Sequence, residues 1–129
     1  MSMAAEIDFR AFANSIGTVL DYQNGDAIFR EGDGPTFMYV VLRGRVDIIA
    51  QDKRLEQVGA GKALGILSLL DDQPRTVTAR ASGATQLAAI DRRKFRFMIE
   101  EMPHFCWYVM GELAHRLRTM NAALADRVG

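Results

Sequence analysis

A single cysteine in 129 residues excludes an internal disulfide, and with it the stapled scaffolds of small secreted proteins. No run of 18 or more apolar residues is present to span a bilayer. The opening MSMAAEIDFRAF contains acids and lacks the basic start and apolar core of a signal peptide, so the chain is expected in the reducing cytoplasm. Net charge is absent as well: sixteen basic residues balance sixteen acidic ones. Such a chain has no overall field to recruit DNA or an anionic membrane, and neither is expected as a partner. Internal repeats and low-complexity linkers are missing, and the length suits one domain of about 100–150 residues rather than two. What is present is a globular composition, 49% hydrophobic and 25% charged, enough to bury a sizeable core.

Nine of the eleven glycines lie at or before Gly83, and the chain changes character near residue 90. Before that point short apolar runs bounded by Gly, Asp and Asn recur: Thr18–Tyr22, Ala27–Phe29, Phe37–Leu42, Val46–Ala50, Leu55–Val58, Thr76–Arg80 and Gln86–Ile90. Several short strands at this spacing predict a sandwich or barrel. In VVLRGRVDII, Arg43-Gly44 separates two β-branched runs, and the glycine supplies the positive φ of a tight turn, so a hairpin is expected there. In DFRAFANSI, Asp8 to Ile16, the residues Phe9, Phe12, Ala13 and Ile16 form one apolar helical face. From Asp91 onward the period is helical again. Phe95, Met98 and Ile99 make a short face ending near Pro103, where a second helix of more than twenty residues begins.

On that last helix Cys106, Met110, Leu113, Leu117, Met120 and Leu124 are spaced 4, 3, 4, 3, 4, the alternation of a coiled-coil seam. Two readings fit: a dimer seam, or a stripe lying on the chain's own β unit. Phe105, Trp107, Tyr108 and Val109 add apolar surface on the other sides at the N-terminal end. Later, Glu112, Arg116 and Arg118 leave a simple two-faced helix. The expectation is a helix that docks first and dimerises further out.

Between strands and helices lies ALGILSLLDDQPRTVTARA, residues 63 to 81. Gly65 lets the backbone approach a ligand, and Ile66 to Leu70 can form a short helix whose free N–H groups face an anion. Pro74 stops that helix and sends Arg75 into an extended segment, from which a guanidinium can grip a phosphate bidentately. Preceded by GDAIFREGD (Gly25 to Asp33) and MYVVLRGRVDI, the segment resembles the cyclic nucleotide-binding domain of catabolite-activator-type regulators, kinase regulatory subunits and cyclic nucleotide-gated channels. The resemblance covers nearly the whole chain.

The resemblance implies a mainly β protein: an eight-stranded, jelly-roll-like β-roll with an N-terminal helix and two C-terminal helices. Residues 1–129 would form a single domain, with the first helix at 1–17, the roll at 18–90, a phosphate cassette at 63–77 and the last helices at 91–126. It places the phosphate-gripping arginine on Arg75, a supporting hydroxyl on Thr76, and backbone contacts on Gly65, Ile66 and Leu67. The last helix would act as lid, where Thr119 and Asn121 are the polar residues able to meet a base. One departure stands out: where the family has Gly-Glu and holds the ribose 2′-hydroxyl with the glutamate, this chain has Gly65-Ile66. Losing that hydrogen bond costs roughly tenfold to a few hundredfold in affinity. The expected ligand is therefore cAMP or cGMP bound weakly, or a related anion without a ribose diol. No cofactor is expected.

Other candidates fall away. His104 and His115 are eleven positions apart, beyond the i, i+4 spacing of a helical metal pair, and no metal site is proposed. Gly61-Lys62 lacks the preceding glycine and following hydroxyl of a P-loop, since Glu56 and Ala63 stand there. Cys106 has no basic neighbour to activate it. Asp71 and Asp72 are turn residues before Pro74, and either is a rival partner for Arg75. No catalytic residue is expected. The chain reads as a non-enzymatic receiver, acting through an unknown protein effector, or else as a ligand-free dimerisation or scaffold module.

Overall fold

Two fourteen-residue strands carry the fold of this protein, whose computed structural model describes residues 9–128. They are β3 (Phe37–Ala50) and β6 (Thr78–Asp91), and they pair antiparallel from Phe37↔Asp91 to Ile49↔Thr78. Around them lie β1 (Thr18–Tyr22), β2 (Ala27–Phe29), β4 (Lys53–Gly59) and β5 (Ala63–Leu64), giving the order β1-β6-β3-β4 with β2 on β6 and β5 on β3. Helix α1 (Arg10–Ile16) packs on β3 and β6, with Ala13 fully buried. The expected first helix extends to Asp8 and earlier positions, which lie outside the described residues. Helix α2 (Ile66–Asp71) interrupts the strands, and α3 (Arg92–Glu101) and α4 (Pro103–Val128) follow them.

The core follows from alternation along the strands. Tyr39, Val41, Val46, Ile48, Leu87 and Ala89 join Phe29, Val58 and Leu64 in one buried cluster. The first arm of β3 is buried at alternate positions as well, through Met38 and Val40. It therefore reads as a continuous apolar run, the pattern of a strand covered on both faces.

The β3–β6 ladder breaks its register in the middle. Arg43 faces Gln86 and Arg45 faces Ser82, leaving Gly44 opposite three residues, Gly83 to Thr85. Both glycines take positive φ, +88° and +79°, and the Thr85 hydroxyl lies within hydrogen-bond reach of Arg45 O and Gly83 O at 3.0 and 3.1 Å. Arg43-Gly44 is therefore a bulge in a continuous strand and not the expected hairpin. A glycine of positive φ serves either feature, and the partner that decides between them lies about forty residues away. The two-residue hairpin sits instead at Gln51-Asp52, between the paired Ala50 and Lys53, with φ of 52° and 62° and no glycine. The same bulge explains why six strands appear where eight are expected. Counted as separate arms, the two bent strands restore the number.

Residues from Phe97 onward form a second compact unit. Met102 N–H bonds to Met98 O and Phe105 N–H to Met102 O, so the chain turns directly from α3 into α4 with Pro103 at the first helical position. Phe105, Tyr108 and Val109 are buried, and the first two rings stack with centroids 6.3 Å apart. From Ala114 to Ala125 every residue is exposed. No helix among the described residues is long and apolar enough to cross a membrane.

Two substitutions test this geometry. A Cβ on Gly44 would lie 2.5 Å from Ala84 O and 2.8 Å from Thr85 Cα. Gly44→Ala is therefore expected to lower unfolding stability by about 2 kcal/mol or more in a urea titration. Conversely, converting Gln51-Asp52 to Asn-Gly (Gln51→Asn with Asp52→Gly) should raise it by about 1 kcal/mol, because both positions already require positive φ.

Candidate functional site

The motif GDAIFREGD contains the same turn twice. Gly25-Asp26 and Gly32-Asp33 each place a glycine at positive φ, +86° and +91°, followed by an aspartate. Gln23 N–H donates to Asp26 Oδ2 and Arg30 N–H to Asp33 Oδ2, at 2.8 and 2.9 Å. In return Asp26 N–H bonds Gln23 O and Asp33 N–H bonds Arg30 O, both at 3.0 Å. These side-chain clasps are the reason aspartate suits the position.

The first turn then grips a residue within β6 and the second a residue just before it. Gly25 N–H donates to Ala81 O and Ala81 N–H to Asp26 O, while Gly32 N–H donates to Arg75 O and Arg75 N–H to Asp33 O, all at 2.8–2.9 Å. Between them β2 pairs with β6 through Ala27↔Arg80 and Phe29↔Ala79. Glu31 N–H adds a bond to Thr78 Oγ1. The backbone of Arg75 is thus fixed on both sides by a turn more than forty residues earlier in sequence.

Its side chain points inward. Arg75 is 4% exposed; Nη1–H donates to Gly65 O at 2.8 Å and Nη2–H to Phe37 O. The guanidinium carbon lies 4.2 Å from the centroid of the Phe29 ring, which itself stacks with Tyr39 at 6.2 Å. Nε–H is buried with no acceptor. Among the described residues no carboxylate forms an ion pair with Arg75. Asp72 pairs with Arg92 at 2.8 Å, and Asp71 accepts from Gln73 N–H, so the rival pairing with either aspartate is not formed. Burial pushes the guanidinium below its ordinary value, with Tyr39 and Asp33 pulling the other way; at neutral pH it stays protonated.

Gly65 caps α2 with φ +79°, and a Cβ there would lie 2.7 Å from Arg75 Nη1. Glycine is needed twice over, for its conformation and for the arginine's approach. The first N–H groups of α2, starting at Ile66 and Leu67, have no partner within the helix. Ile66 is buried while Leu67 is 46% exposed. Thr76 follows Arg75 on the exposed side of the bend. Gly65 and Arg75 are thus in direct contact, with Ile66, Leu67 and Thr76 adjoining them in sequence. Phe29 and the Phe37 carbonyl are site components that the motif reading missed. The doubled Gly-Asp, seven residues apart, was the available signal for the clamp, whereas nothing local marks Phe37.

On α4, Thr119 and Asn121 are exposed, and the Thr119 hydroxyl donates to His115 O of its own helix at 3.0 Å. Along the heptad positions Cys106 and Leu113 are half-buried, whereas Met110, Leu117, Met120 and Leu124 are exposed. His104 and His115 are exposed too, and no cluster of metal-ligating side chains occurs among the described residues.

Comparison with known proteins agrees with the fold. The family model described as the cyclic nucleotide-binding domain matches residues 19–102. A CRP-like cAMP-activated global transcriptional regulator of Mycobacterium tuberculosis is 32% identical over 114 residues, covering 84% of this chain and 51% of the relative. The cAMP-dependent protein kinase regulatory subunit of Debaryomyces hansenii is 32% identical over 83 residues, 63% of this chain and 18% of that one. The chain therefore spans about half or less of the curated relatives it matches. The crystal structure of the Thermus thermophilus catabolite activator protein superposes with a TM-score of 0.82 at 28% identity, covering 96% of this chain and 62% of that one.

Proposed function

Because the chain belongs to the cyclic nucleotide-binding domain family, we propose that it is a non-enzymatic sensor module whose β-roll takes a cyclic nucleotide or related phosphate-bearing ligand. The phosphate meets the Arg75 guanidinium, the backbone N–H groups at Gly65, Ile66 and Leu67, and the Thr76 hydroxyl. The C-terminal helix α4 passes the signal to a partner protein. One observation carries this reading: Arg75 is buried with no carboxylate partner among the described residues and with Nε–H unsatisfied. A buried charge is costly unless it is paired. A phosphate supplies both the missing charge and the acceptors that the remaining N–H donors call for.

Ile66 limits the ligand. Its buried alkyl side chain offers nothing to a ribose hydroxyl, so cAMP or cGMP binds through its phosphate and base alone. Calorimetry on three chains tests the site. The native protein should bind cyclic AMP or cyclic GMP weakly. Arg75→Ala should abolish binding, and Ile66→Glu should tighten it by roughly tenfold to a few hundredfold. Absence of heat in the native chain up to millimolar nucleotide, or isotherms indifferent to both substitutions, would overturn the assignment.

A second reading has its own observation. Leu117, Met120 and Leu124 are 60%, 63% and 52% exposed along one seam, a stripe suited to a second copy of the helix. The chain would then serve as a dimerisation or scaffold module, with or without ligand. Sedimentation at tens of micromolar should show a dimer that Leu117→Asp disrupts; a monomer would count decisively against this role.

A further inference from the structure

The Arg75 guanidinium is held by an aromatic face rather than by an acid. We propose that Phe29 is a positioning residue of the anion site: its ring orients Arg75 for the incoming oxyanion and so sets affinity without touching the ligand. The inference rests on the reading that Arg75 receives the phosphate.

The chemistry separates Phe29 from any other way of holding an arginine. A carboxylate in its place would take two N–H donors and cancel the charge, leaving little for an anion to gain. A ring face attracts the cation through its quadrupole and uses none of its N–H groups. Of the five donors, one goes to Gly65 O and one to Phe37 O. Nε–H has no acceptor at all. The charge is thus retained, buried and aimed, with donors still free.

Phe29 itself has little freedom to move. It is 6% exposed, lies in the β2–β6 ladder opposite Ala79, and stacks on Tyr39 with ring planes 27° apart. Tyr39 in turn contacts Phe37, whose carbonyl takes the Nη2 bond. The aromatic row therefore ties the ring beneath the guanidinium to the carbonyl at its edge. Phe29 stands between the two Gly-Asp turns, and the second of those holds the Arg75 backbone. One nine-residue segment fixes the arginine at both ends.

The experiment follows the Arg75 Nε–Hε signal by NMR in the full chain, assigned through Arg75→Lys. Cyclic AMP and, separately, inorganic phosphate are the titrants. In the native chain the ring current of Phe29 should displace the Arg75 side-chain resonances, and both titrants should move them. Phe29→Leu should remove the displacement and weaken binding of each titrant roughly twofold to thirtyfold. Pentafluorophenylalanine at position 29 keeps the ring's shape and reverses the charge of its face, so it should weaken binding as much as leucine does. A merely structural role predicts native affinity for that residue, and native affinity there or in a folded Phe29→Leu chain overturns the role of Phe29 alone. An Arg75 signal that neither titrant moves in the native chain overturns the anion site as a whole.

Discussion

A positive charge kept almost dry, without an ion-paired acid among the described residues, is the constraint around which the β unit is arranged. A guanidinium left in solvent would cost the fold nothing, but Arg75 is 4% exposed, and its desolvation has to be offset locally. Three separated segments do so. Phe29 comes from β2, the Phe37 carbonyl from the start of β3, and the Gly65 carbonyl from the cap of α2. None of these would meet without the long β3–β6 pairing and the Gly32-Asp33 turn that holds the Arg75 backbone. Compensation remains incomplete, because peptide carbonyls and a ring face supply partial charges where a carboxylate would supply a whole one. In the sensor reading, that deficit is the driving force for anion capture.

In the sensor reading, Ile66 divides the site into two halves with opposite chemistry. On the phosphate side the requirements of an anion are intact: a glycine of positive φ, the unpaired N–H groups of a helix start and a buried arginine. On the other side a buried isoleucine stands where the family places a glutamate. The substitution adds apolar contact to the cassette, worth about 1.5–3 kcal/mol for a fully buried side chain. It removes a carboxylate that would otherwise need its own partner when no ligand is bound. On that reading, cassette stability and diol recognition are exchanged for one another at a single position.

The periodic elements were legible in the sequence because their signals are local. The helical faces of α1 and α3, the length of α4 and six of the seven apolar runs fall on the strands and helices observed, while of the seventh, Thr76–Arg80, only Thr78–Arg80 lies in β6. Gly65, Pro74 and Arg75 were legible through chemistry concentrated within about a dozen residues. Features decided at long range were not. Gly44 reads equally as hairpin or bulge until β6 is placed beside it. Gln51-Asp52 adopts a turn that prefers glycine because the flanking strands impose it. The two residues of β5 are too few to show a period. Phe37 contributes a carbonyl, which every residue possesses, so no side-chain pattern can announce it.

Affinity and switching power are separate quantities, and the distinction bears on what the loss of a diol anchor means. A ligand shifts a conformational equilibrium only by the difference in its affinity for the two states, however tightly it binds overall. A contact made equally in both states can be lost without reducing the shift. Contacts that change on binding matter more, and in the sensor reading the candidates are the two carbonyl bonds of Arg75, to β3 and to the cap of α2. The exposed Arg92–Asp72 pair joins the end of α2 to the start of α3, but an exposed ion pair contributes at most about 1 kcal/mol. It cannot by itself transmit a larger bias. In the sensor reading the switching energy therefore resides in the arginine's exchange of partners, the half of the site that Ile66 leaves intact.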